Sequence, residues 1–201
     1  MLNPWWLVAN NLRGITEVEG SFDNSKIVEM FRIVGHGQVQ DDETPWCAAF
    51  VGACLQLSGY DSTGLLNARS YLNLGKAIPD PEPGCIVVLW RGSAAAATGH
   101  VGFFSHQDDE YYYLLGGNQG NAVKVSPYQK SRLLGFRWPT ERAAIATSHL
   151  LPNILQLGGG AFAAGSPAST APPDEVRWLR SCFAAPPAPH PSSPLPPRPA
   201  R

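Results

Sequence analysis

Residues 41–60, DDETPWCAAFVGACLQLSGY, decide the fold. An acidic turn runs into Thr44 and Pro45, and then into an apolar run closed by Gly59. Thr44 is a natural N-cap, and proline is tolerated in a first helical turn because its missing N–H would be unpaired there anyway. The pattern predicts a helix from about Pro45 to Ser58. Cys47 then falls in the first turn, where unpaired amides and the macrodipole stabilise an anion and draw a thiol toward thiolate. The bland alternative is a buried cysteine serving as a small hydrophobe. Cys54, seven residues further along among apolar neighbours, reads that way. The small residues after Cys47, Ala48 and Ala49, allow this helix to pack closely behind a sheet.

Outward from this helix the periodicities fall into two blocks. PWWLVANNLRG (4–14) opens on proline and closes on glycine, as a short helix does. SFDNSKIVEMFRIVG (21–35) carries Ile27, Met30, Phe31 and Val34 at helical spacing, with Asp23 and Asn24 as cap candidates and Gly35 as the stop. ARSYLNLG (68–75) predicts a fourth, shorter helix. After residue 83 the runs GCIVVLW, GHVGFFSHQ, EYYYLLGGN, AVKVSPY and LLGFRWP are β-branched and aromatic, divided by turn residues. They predict an antiparallel meander. Helices first and strands after make an α+β domain, with N-terminal helices packed on an antiparallel β-sheet over residues 1–139.

Composition limits what the chain does. Hydrophobic residues make up 44% and charged residues 15%, with a net charge of -1, so a core can form and no strong field is aimed at nucleic acid. Every apolar run is broken before the roughly 18 to 20 residues of a membrane span. The opening MLNPWWLVANNLRG lacks a positive n-region and a small-residue cleavage site, so the expectation is synthesis in the cytoplasm without a Sec signal. The four cysteines show no CxxC and no paired histidines, which argues against a zinc site or a disulfide framework; no metal or cofactor is expected. Of the 19 prolines, 12 follow Pro139. Residues 140–201 therefore read as a low-complexity Pro/Ala-rich tail, mostly disordered over 160–201, with short helices at 141–151 and near 173–183. Polyproline II recognition of the tail by a partner is one reading and a plain linker the other.

A nucleophilic cysteine needs a base. His190 and His149 lie in or next to the tail, His36 sits in a glycine loop, and His106 ends a strand beside acidic residues. His100 opens a strand after the small-residue loop GSAAAATG, flanked by Gly99 and Gly102, and reads as either core or catalytic. Asn118, in LLGGNQGN, follows the next strand, so an antiparallel hairpin brings it beside His100. Its amide oxygen would fix the imidazole tautomer; the competing reading is plain turn chemistry. Cys47, His100 and Asn118 in this order form a Cys-His-Asn set. Trp46, Trp90, Glu43, Gln119, Arg91 and the tyrosines of EYYY are candidates for a substrate groove, with a core role as the alternative for the aromatic residues. Asp42 and Glu43 read as a solvated loop or as a site for a peptide amine.

The segments DETPWCAAFVGACLQLSGY, ARSYLNLG, PGCIVVLWRG, GHVGFF, LLGGNQGNAVKVSPY and LLGFRWP together resemble the CHAP-related branch of the NlpC/P60 superfamily of cysteine peptidoglycan hydrolases, over about residues 4–139. The resemblance implies a papain-like fold with Cys47 as nucleophile, His100 as base and Asn118 as the group orienting the base. Two positions depart from it: Cys85 stands where the family commonly has Asp, and Gly116 where many members have Glu, so that the resemblance leaves the orientation of His100 to Asn118 with Gln119 assisting. The implied activity is thiol-dependent cleavage of an amide in the wall peptide, as an N-acetylmuramoyl-L-alanine amidase or a D,L-endopeptidase, with peptidoglycan as the partner. The enzyme would act on the wall after release or export. Acyl transfer by the same residues and a non-catalytic wall-binding module are the alternatives.

Overall fold

The structure, a computed structural model, describes residues 3–20 and 22–141. The tail and the two helices expected within it lie outside the described residues, Glu141 excepted. Three helices come first: α1 (Pro4–Asn11), α2 (Ser25–Ile33) and α3 (Cys47–Leu57). A 3₁₀ helix, Ala68–Asn73, stands where a fourth short helix was expected. Six strands follow: β1 (Lys76–Ile78), β2 (Ile86–Trp90), β3 (Gly99–Gln107), β4 (Tyr111–Gly116), β5 (Lys124–Gln129) and β6 (Leu133–Trp138). They form one antiparallel sheet in the order β1-β6-β2-β3-β4-β5, so the fold is α+β. The expected meander holds only from β2 to β5. β6 returns across the sheet to pair with the free edge of β2, and the unforeseen β1 pairs with β6.

Helix α3 is the centre of the packing, with every residue from Cys47 to Leu55 buried. It packs against α1, α2, β3 and β4. Its fully buried Phe50 and Leu55 each remove a large apolar side chain from water, about 1.5–3 kcal/mol apiece. Two glycines permit the close approach. A Cβ at Gly52 would meet Tyr71 Oη and Val34 Cγ1 at 2.7 Å, and one at Gly117 would meet the Trp46 ring at 2.4 Å. The Tyr71 hydroxyl donates to the Ala48 carbonyl at 2.9 Å, which ties the 3₁₀ helix to the start of α3.

The entry into α3 differs from the sequence expectation. The helix starts at Cys47, with Trp46 at the capping position and no side-chain cap bond. Thr44 instead donates its amide to Asp41 Oδ1 at 2.7 Å, making an Asx-type turn before the helix. Asp42 is no solvated loop residue: it is fully buried, and its Oδ2 accepts the amides of Val18 at 3.0 Å and Asn24 at 2.7 Å. Asp23 Oδ1 in turn accepts the Asp42 amide at 3.1 Å. The acidic turn thus braces the segment leading into α2 against the segment leading into α3.

Candidate active site

Cys47 and His100 line one cavity of about 400 Å³ between the start of α3, the 3₁₀ helix and the β2–β3 loop. Leu66, Ala68 and Ala97 supply apolar wall, and Asn67, Arg91, Thr98 and Asn118 supply polar groups. The small-residue loop is held in place by Arg69, whose guanidinium donates to the carbonyls of Thr98, Ser93 and Ala94 at 3.1–3.3 Å. Loop geometry here rests on a side chain from another element, which converts a flexible Gly/Ala sequence into a fixed wall.

His100 is 3% exposed and its ring is held on two sides. Nε2 lies 3.1 Å from Gln119 Oε1, and Tyr128 stacks on the ring with centroids 4.9 Å apart and planes 23° off parallel. The protonation pattern follows from Gln119. Its Nε2 donates to the carbonyls of Leu114, at 3.0 Å, and Lys124. Two carbonyls accept only, so the amide cannot be turned around, and Oε1 must face His100. An amide oxygen also accepts only, so the neutral imidazole carries its proton on Nε2 and leaves Nδ1 as the basic nitrogen. Tyr128 is held in turn by the Arg132 guanidinium, 5.7 Å from its ring centroid, and Arg132 also donates to the Trp90 carbonyl.

The electrostatics correct one expectation. Burial pushes the Cys47 thiol up, and the backbone amides of Val101 and Ala48 and the Arg91 cation only partly offset it. The helix start therefore does not yield a resting thiolate. Burial also holds His100 down to about 4; the Arg91 and Arg132 charges act in the same direction and the Gln119 bond opposes them. The free site holds a neutral thiol and a neutral imidazole rather than an ion pair. Burial pushes Tyr128 up to about 12, so its phenol stays protonated.

The remaining sequence candidates scatter. Asn118 lines the cavity in a left-handed conformation, φ 54°, but the partner of His100 is Gln119. Gln119 is buried and bonded to His100, Leu114 and Lys124, and so positions the imidazole ring instead of lining a groove. Trp46 is fully buried in the core, with its indole N–H donated to Glu17 at 2.8 Å, and offers nothing to a groove. Trp90 is half-buried outside the cavity wall and donates to the Ser131 carbonyl at 3.2 Å. Glu43 is exposed and lines a second cavity. Of the flanking glycines, Gly99 lines the main cavity, while a Cβ at Gly102 would meet β4. The position-lock role of Tyr128 and the wall-holding role of Arg69 have no local sequence signal. No protein-family model matches the sequence, and no curated protein matches it significantly.

Proposed function

We propose that this protein is a papain-like cysteine hydrolase that cleaves an amide bond in the peptide of peptidoglycan, as an N-acetylmuramoyl-L-alanine amidase or a D,L-endopeptidase. The observation that carries the reading is the pairing of Cys47 and His100 on one cavity, with the Nε2 proton of His100 committed to Gln119. That leaves Nδ1 free to act as a base.

Because both groups rest neutral, the thiol is activated during attack rather than before it. As Sγ bonds to the scissile carbonyl carbon, its proton passes to His100 and the carbonyl oxygen takes the negative charge. The Cys47 amide, without an intrahelical partner at the first residue of α3, is positioned by sequence to donate to that oxygen. Collapse of the intermediate breaks the C–N bond, and the imidazolium returns its proton to the departing amine. Water then attacks the thioester, loses a proton to His100, and releases the carboxylic acid and the thiol. Gln119 keeps one tautomer throughout, and Arg91 beside the cavity complements the carboxylates that stem peptides carry.

The test is mass spectrometry of the muropeptides released from purified cell wall by the wild type and by Cys47→Ser. The expected result is release of defined fragments by the wild type alone, with new termini that name the bond. Equal release by both proteins refutes the thiol mechanism, and no release by the wild type refutes the substrate.

A further inference from the structure

Two of the walls around the catalytic pair are joined by a single side chain. Leu66, Asn67 and Ala68 form one wall, and Ala97, Thr98 and Gly99, at the end of the β2–β3 loop, form another. Arg69 follows directly on the first wall and grips the second. Its Nε donates to the Thr98 carbonyl at 3.1 Å, and its terminal nitrogens donate to the carbonyls of Ser93 at 3.3 Å and Ala94 at 3.1 and 3.2 Å. One guanidinium thus ties both limbs of the loop. Gly99 leaves room for its stem, since a Cβ there would stand 3.2 Å from Arg69 Cγ. Little else holds the loop. Every residue from Gly92 to Thr98 is exposed except the half-buried Ala96, so lifting the segment uncovers almost no apolar surface. Its other hydrogen bonds among the described residues run within the loop and to Arg91 at its base, and travel with it. Gly92, at φ 76°, gives one end freedom to pivot.

We infer that residues 92–98 are a lid over the Cys47–His100 cavity and that Arg69 is its latch. With the latch made, Cys47 is 8% and His100 3% exposed. A reacting carbonyl must come within about 3–3.5 Å of its nucleophile, so a substrate larger than the cavity of about 400 Å³ reaches Sγ only when the lid lifts. The latch is reversible. All four bonds end on neutral carbonyls at a half-buried side chain, where water replaces them at little net cost. Arg69 itself does not line the cavity; it is a positioning residue that sets how often the cavity stands open. The inference concerns access to Cys47 and stands apart from which bond, if any, the proposed hydrolase cleaves.

The test compares the rates at which N-methylmaleimide and the bulky N-pyrenylmaleimide alkylate Cys47 in the full chain, read by tandem mass spectrometry. Both reagents are uncharged and share one reactive group. Their rate ratio on Cys47, divided by their ratio on glutathione, therefore reports access and not thiol reactivity. Expected in the wild type is discrimination against the bulky reagent of about tenfold or more, as for an open form populated at about 10% or less. Arg69→Met and Arg69→Lys, neither of which can span both limbs, each lower it by about threefold or more as the open form gains population. Cys54, fully buried in α3, is the internal reference for general unfolding. No discrimination beyond that of glutathione in the wild type, an unchanged value in either variant, or alkylation of Cys54 rising together with that of Cys47 overturns the latch.

Discussion

Acidification should destabilise this protein through His100 before most carboxylates respond. The ring is 3% exposed and held down to about 4, against an ordinary value of 6.5 in the unfolded chain. Between those values the unfolded chain binds a proton that the folded one refuses. Stability from this group is therefore complete above about pH 6.5 and is lost progressively as the pH falls toward about 4. The gap of about 2.5 pH units, at about 1.4 kcal/mol each, gives a loss of about 3 kcal/mol, a large share of the stability of a small domain. Urea unfolding followed by tryptophan fluorescence at several pH values from about 7 to about 4 reads it directly. His100→Gln supplies the reference, since it cannot titrate, and its slope rather than its absolute stability is compared. Asp41 and Asp108, whose carboxyls are lowered by hydrogen bonds, contribute equally to both proteins and cancel. Parallel stability curves for wild type and variant over this window would refute the claim that His100 is buried neutral.

Two further outcomes follow from the same geometry. Alkylation of Cys47 by iodoacetamide should keep accelerating beyond about pH 9, because burial pushes the thiol above its ordinary value; a plateau reached by neutral pH would reveal a resting thiolate instead. Gln119→Leu should cost about 2–4 kcal/mol in urea unfolding by stripping partners from His100, Leu114 and Lys124, and should lower kcat at least tenfold with KM nearly unchanged; wild-type kcat in a folded variant sinks the positioning role.

Much of the architecture is legible in the sequence because it is written in local periodicity. Ile27, Met30 and Phe31 repeat at helical spacing and are all fully buried in α2, and Asn24 caps that helix by accepting the Lys26 amide. The strand runs between 86 and 138 are bounded by the turn residues that end them. What is missed is non-local. The return of β6 to β2 follows from no short-range pattern, since its partners lie about fifty residues away. Asp42 looked solvated because its neighbours are acidic, yet its fate is set by amides 24 and 18 residues distant. The sequence pattern puts the start of α3 two residues early because Thr44 and Pro45 are ordinary capping residues. Asp41 captures the Thr44 amide and leaves Cys47 as the first helical residue.

The site shows why one position at a time misleads. Asn118 and Gln119 carry the same amide group, and nothing in their order says which one reaches His100. The backbone decides: Asn118 turns left-handed at φ 54°, while Gln119 is anchored by two carbonyls that aim its oxygen at the ring. Gly116 makes that possible. A Cβ there would stand 3.0 Å from Gln119 Oε1 and 3.4 Å from His100 Nε2, so a side chain at 116 competes for the space in which the two meet. Against the resemblance drawn from the sequence, Gly116 reads as an absent acceptor. Beside Gln119, the space that a side chain at 116 would take holds an amide from three residues on, and the imidazole has an acceptor for its Nε2 proton. A pattern that weighs residues singly counts the loss and overlooks the gain, because the compensation exists only once the turn after β4 has closed.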